Sequence, residues 1–161
     1  MPSTTTDHRR LGAISPEPRH RPRVLLADDT ETLRALTSIL LQRMGCEVDA
    51  VEHGEQALSL ARQVRYDLIL LDLDMPLMDG METARAIRSL PSNEATLIIA
   101  LSAFLGGIGD PNDRWRVFDG EIAKPIGLDR LRQVILKAWP TRSGELDLDS
   151  MPVDVAAVSA V

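Results

Sequence analysis

The sequence predicts an α/β fold, a doubly wound five-stranded parallel sheet of order 2-1-3-4-5 held between two layers of helices. Three observations lead there. Five short apolar runs alternate with amphipathic stretches between residues 23 and 139, which is the pattern of repeated strand–helix units. The run DLILLD (67–72) is continuously apolar up to its last residue, as expected of a strand buried on both faces. Acidic or polar residues stand where the runs end, and right-handed crossovers bring those ends to one edge of the sheet.

RVLLA (23–27) is the first strand, closed by Asp28-Asp29. Thr30 stands in N-cap position for a first helix whose apolar face is predicted as Leu33, Leu36, Ile39, Leu40 and Met44, with Gly45 ending it. CEVDAV (46–51) is a second strand, and GEQALSLARQV (54–64) sets Ala57, Leu58, Ala61 and Val64 along a second helix. After the third strand, Asp79-Gly80 opens a helix carrying Met81, Ala84, Ile87 and Leu90, which Pro91 stops. TLIIALS (96–102) and GEIAKP (120–125) complete the sheet, and LDRLRQVILKAW (128–139) is the closing helix. The segment FLGGIGDPNDRWRVFDG (104–120) is rich in Gly, which disfavours a helix interior by about 1 kcal/mol per residue relative to Ala. Its helix is therefore predicted to be short or disordered, confined to about 111–118.

A chain of 161 residues holds one core of ordinary size. Three segments are expected: a disordered basic arm (1–22) that includes His8 and His20, a folded domain (23–139), and a flexible acidic tail (140–161). The formal net charge of −6 argues against nucleic acid as main partner. No apolar run approaches the ~18 residues of a membrane span, and the start lacks the core of a secretory signal. One cysteine, Cys46, excludes an internal disulfide and suits a reducing cytoplasm; it reads as a small core residue, and His53 as a solvated loop residue.

On this frame Asp28, Asp29 and Asp72 converge with Ser102 and Lys124 at the carboxyl ends of neighbouring strands. Two carboxylates about 4 Å apart repel by roughly 4 kcal/mol at an effective dielectric near 20, so three of them call for a cation. All-oxygen ligands without thiolate or imidazole point to a hard ion, Mg²⁺. Taken singly, Asp29 or Asp79 is explained as a helix cap; the whole set on one edge is not.

The motifs ADD (27–29), LLDLDMPLMDG (70–80), ALSA (100–103) and AKPI (123–126) resemble, in order and spacing, the receiver domain of two-component response regulators. The resemblance covers about residues 22–139 and implies the flavodoxin-like version of the fold. It also implies Asp72 as phosphoacceptor, and Asp28 and Asp29 as Mg²⁺ ligands together with the Asp74 main-chain carbonyl. Ser102 and Lys124 would bind the transferred phosphoryl group, and the Lys124–Pro125 peptide would be cis. The donor would be a histidine kinase or histidine phosphotransfer protein, and the chain would catalyse only its own phosphorylation and dephosphorylation. Ala103 is small enough to leave Asp72 accessible. With no DNA-binding unit after Trp139, the resemblance is to a stand-alone cytoplasmic receiver acting on an unknown downstream protein, without nucleic acid or membrane.

One position departs from the family. Glu121 stands three residues before Lys124, where an aromatic switch residue is usual, and a carboxylate cannot enter the same apolar slot without a desolvation cost. A pseudo-receiver signalling without phosphate is the binding-class alternative. A flavin binder would need a hydroxyl- and Gly-rich loop in place of Asp28-Asp29, and a haloacid-dehalogenase-type hydrolase would need its Asp-x-Asp on the first strand rather than the third.

Overall fold

The computed structural model describes residues 21–104 and 114–139; the predicted arm, tail and glycine-rich stretch 105–113 lie outside them. Five parallel strands, β1 (Arg23–Ala27), β2 (Glu47–Val51), β3 (Leu68–Asp72), β4 (Leu97–Ser102) and β5 (Gly120–Ala123), lie in the order β2-β1-β3-β4-β5. Four α-helices connect or follow them: α1 (Glu31–Arg43), α2 (Gly54–Gln63), α3 (Gly80–Arg88) and α4 (Leu128–Ala138). Between β4 and β5 the helical content among the described residues is a 3-10 turn, Arg114–Val117, consistent with the short element expected there.

Side-chain alternation along the strands divides the core in two. Val24, Leu26, Leu68, Leu70, Ile99 and Leu101 pack with Leu41 and Met44 around α1 and with Leu131, Val134 and Ile135 of α4. Leu25, Ala27, Ile69, Leu71, Ile98 and Ala100 pack on the other face with Ala57 and Ala61 of α2 and Ala84 and Ile87 of α3. Every residue of β3 is buried, which the continuous apolar run required. Small alanines on α2 and α3 let those helices lie close to the sheet and to each other, so that a Cβ at Gly54 would meet Thr83 Oγ1 at 2.2 Å.

Several polar groups inside this frame are paired. Arg88 donates to the carbonyls of Val117 and Thr96 at 3.0 and 2.6 Å and is ion-paired with Asp119, fastening the 3-10 turn to α3. Fully buried Asn93 donates to Ala61 O at 2.8 Å and accepts from Thr96 Oγ1 at 3.3 Å. The Tyr66 hydroxyl donates to Asp49 Oδ2 at 2.8 Å.

Two expectations change. Thr30 occupies the N-cap of α1, but its side chain makes no capping bond; its hydroxyl lies on Asp29 Oδ1 at 3.4 Å. The predicted apolar stripe of α1 is rotated as well: Thr37, Leu41 and Met44 are buried, whereas Leu36 and Ile39 are 40% and 47% exposed. Leu33 and Leu40 of the predicted stripe are partly buried, and Arg34 shares the inner side, its guanidinium reaching the carbonyl of Asp28 at 2.7 Å, where periodicity counts arginine as outward-facing.

Burial, followed by the charge of Asp67, pushes the Cys46 thiol up from 9.0 to about 12. Burial and the bond to Asp49 raise Tyr66 above its ordinary 10.0. Both groups keep their protons longer folded than unfolded, so their contribution is complete below about pH 9 and is lost as pH climbs. Urea melts should therefore show stability falling between pH 9 and 11, with a shallower fall in Cys46→Ala.

Candidate phosphoacceptor and metal site

The sheet's carboxyl edge is assembled from four strand ends. Asp28 follows β1 directly, Asp72 is the last residue of β3, Ser102 the last of β4, and Lys124 follows β5. Parallel pairing of β1 with β3, with Ala27 beside Leu71, carries Asp28 and Asp72 side by side. Their burial is nearly complete, at 1% and 2% exposure.

Lys124 Nζ lies 2.7 Å from Asp72 Oδ2 and 3.1 Å from Asp28 Oδ2. Burial alone would lower the Lys124 pKa, but hydrogen bonds to Asp72 and Asp28 and the charges of both outweigh it and hold the ammonium above its ordinary 10.5. Lys124 is therefore charged throughout the neutral range. The peptide that follows it, to Pro125, is cis.

Each carboxylate is oriented by main chain. Thr30 N donates to Asp28 Oδ1 at 2.9 Å and Asp74 N to Asp72 Oδ1 at 3.1 Å. These bonds turn both Oδ2 atoms toward the ammonium. Carboxylate oxygens of Asp28, Asp29 and Asp72 lie within 4.8 Å of one another, the Asp29 group exposed and the other two buried. Asp28 Oδ2 is buried and faces the Lys124 ammonium at 3.1 Å. An all-oxygen donor set of three carboxylates gathered this closely suits a hard divalent ion.

Ser102 is placed differently from its expected task. It is buried on the right edge, but its hydroxyl donates to Phe104 O at 2.6 Å and accepts from Phe104 N at 3.1 Å, which leaves it engaged with its own loop. Nor is Asp72 open, as the small Ala103 suggested: Lys124 stands against it, and only 3% of its side chain is exposed. Glu121 on β5 pairs in register with Ala100 of β4 and is half-buried. His53 is engaged rather than merely solvated, with Nε2 3.2 Å from Glu52 Oε1.

Three further features shape the site: the start of α3, the turn at Leu77, and Arg34. A Cβ on Gly80 would meet Asp72 O at 2.2 Å, so only glycine lets α3 begin against the end of β3. Asp79 caps that helix with a reciprocal box to Glu82, and the Asp-Gly pair was the visible signal. Leu77 has φ 68° with Met78 N bonded to Pro76 O at 2.9 Å, a γ-turn of the strained positive-φ form, and its side chain is 87% exposed. Arg34, the third, carried no sequence signal beyond its place on α1.

This chain matches the family model described as the response regulator receiver domain over residues 24–136. It belongs to that family. It is 39% identical over 119 residues to the sensor protein GacS of Pseudomonas syringae pv. syringae, covering 72% of this chain and 13% of that protein; the chain thus spans a small fraction of the length of the curated relatives it matches. The receiver domain of a Pseudomonas aeruginosa sensor histidine kinase, solved with magnesium in its active-site cleft, superposes with TM-score 0.66 at 28% identity, covering 73% of this chain and 97% of that one. The Thermotoga maritima response regulator TrrA, solved with Mg(2+)-BeF and also with the histidine kinase ThkA, superposes with TM-score 0.65 at 32% identity, covering 73% and 98%. The receiver domain of a two-component system is therefore the fold and the class of this chain, a signalling rather than a metabolic class.

Two substitutions probe this receiver's site. Lys124→Gln leaves two buried carboxylates facing each other, and breaking a buried pair in this way costs about 3–5 kcal/mol; urea denaturation at pH 7 measures it. Leu77→Asn should stabilise by about 1 kcal/mol in the same assay, because Asn tolerates the left-handed region and the exposed leucine has little packing to lose.

Proposed function

We propose that this receiver accepts a phosphoryl group on Asp72 from a phosphohistidine of a histidine kinase or phosphotransfer protein, in a Mg²⁺-dependent reaction, and passes the signal to a downstream protein through its altered surface. The observation that carries the reading is the contact of one ammonium, Lys124, with both buried carboxylates at 2.7 and 3.1 Å. Asp28, Asp29 and Asp72, with the Asp74 main-chain carbonyl, would hold the metal. When bound, Mg²⁺ supplies charge neutralisation for the phosphoryl oxygens and for the crowded carboxylates.

The chain's own residues do the rest. Asp72 Oδ2 forms the new O–P bond as the donor's P–N bond breaks, the electron pair leaving with the imidazole nitrogen. The carboxylate is a competent nucleophile because Asp74 N holds its other oxygen in place. Lys124 moves from Asp72 Oδ2 to the incoming phosphoryl oxygens and stabilises the charge that develops there. Ser102 would exchange its bonds to Phe104 for one to the phosphoryl group, which frees the Phe104 main chain. That exchange couples a local change of charge to the surface. Glu121 replaces the usual aromatic, so the output is read at Phe104 and not from an inward-swinging ring. Catalysis is limited to the chain's own phosphorylation and dephosphorylation. The relatives with magnesium and with a histidine kinase in their structures support this reading. Among the described residues no helix is long and apolar enough to cross a membrane, and the cytoplasm is the proposed compartment.

Acetyl phosphate and Mg²⁺ test the reaction directly. Intact-mass spectrometry should show a species heavier by about 80 Da, one phosphoryl group, in the wild type, lost with EDTA and absent from Asp72→Asn. An unmodified wild type would instead favour an adaptor that signals without phosphate.

A further inference from the structure

Asp28 is held at three points before any ligand arrives. Its N–H donates to Val51 O at 3.1 Å, its Oδ1 accepts from Thr30 N at 2.9 Å, and its carbonyl accepts from Arg34 Nη1 at 2.7 Å. The first two bonds are main-chain donors belonging to the β1 edge. The third comes from a side chain one turn along α1, and it alone is removable by substitution. Arg34 is mostly buried, with 18% of its side chain exposed, and its Nη2 lies 3.9 Å from Glu52 Oε2 at the end of β2. The planar guanidinium therefore spans from the end of β1 to the β2–α2 connection, with α1 as its base.

We propose that Arg34 is a positioning residue for cation binding, fixing the Asp28-Asp29 turn so that Asp28 Oδ2 faces Asp72. The inference rests on the Mg²⁺-dependent reading above. Asp28 Oδ2 faces the Lys124 ammonium at 3.1 Å, a point charge that imposes little direction, so its aim depends on how the rest of the residue is held. With the Arg34 bond gone, the carbonyl of Asp28 can rotate toward water, the peptide to Asp29 turns with it, and both carboxylates lose their common focus.

Charge and geometry predict opposite signs here, which makes the inference testable. If Arg34 acted only as a nearby positive charge, its removal would tighten binding of a cation. If it positions Asp28, its removal weakens binding. Mg²⁺ alone is titrated into the ¹⁵N-labelled chain, following the amides of Asp29 and Thr30. Arg34→Gln should raise the Kd about 10-fold, the scale seen when a partner that orients a metal ligand is removed, and its deficit in acetyl phosphate labelling should shrink as Mg²⁺ approaches saturation. An unchanged or lower Kd overturns the proposal. Should Arg34→Gln fail to fold, Arg34→Lys carries the test: it keeps the charge but loses the fork that reaches Asp28 and Glu52 together, and should bind about 3-fold more weakly, whereas parity with wild type overturns the proposal. A wild-type chain that binds no Mg²⁺ removes the metal-dependent reading and this inference with it; wild-type binding with unaffected variants removes this inference alone.

Discussion

The contact on which this molecule turns is the ammonium of Lys124 against Asp28 and Asp72. Two carboxylates at 1% and 2% exposure are a severe electrostatic load at the end of a sheet. One lysine at 2.7 and 3.1 Å offsets it within the protein, and its own pKa rises in consequence. Those three residues come from three different strand ends. Their meeting needs β1, β3 and β5 in correct register, and the site is therefore a readout of the whole sheet. A buried carboxylate pair neutralised by an internal cation stays ionised, whereas an isolated buried carboxylate would be protonated instead.

Much of this was legible from residues alone. The continuous run LILLD could only be a doubly covered strand, and the alternating partition of Leu25, Leu26, Ile69 and Leu70 between two cores follows from the period of a strand. Asp28, Asp72 and Lys124 were legible because they are charges at the ends of apolar runs, where no packing role explains them. Asp79-Gly80 announced a helix start, and the structure adds why glycine is required: any Cβ at Gly80 would collide with the carbonyl oxygen of Asp72.

What sequence could not supply were orientations. The stripe Leu33-Leu36-Ile39-Leu40-Met44 fits a helical period, yet the helix presents Leu36 and Ile39 outward while Arg34 is drawn in to a carbonyl. Hydrophobic periodicity has no term for a cation that is worth burying. Thr30 has the right identity and place for a cap, but its amide serves Asp28 and its hydroxyl rests on Asp29. Ser102 sits where spacing puts it, with a hydroxyl that prefers the free amide and carbonyl of Phe104. In each case a local hydrogen bond to main chain decided between conformations that the residue type leaves open.

Taken together, these local bonds describe a site prepared on one side and held in reserve on the other. On the β1 and β3 side, amides of Thr30 and Asp74 and the guanidinium of Arg34 fix the carboxylates before any ligand is present. On the β4 side, Ser102 is tied to Phe104, whose ring is 85% exposed, so releasing that serine exposes no buried ring. A rigid half gives the chemistry its geometry, and a half held by two exchangeable hydrogen bonds can change shape without disturbing the core. The strands enforce this division: β1 and β3 are buried and flanked on both sides, whereas β5 is an edge strand of four residues carrying the half-buried Glu121. Movement is least costly at that edge, so under the proposed function a change at Asp72 would spread through β4 and β5.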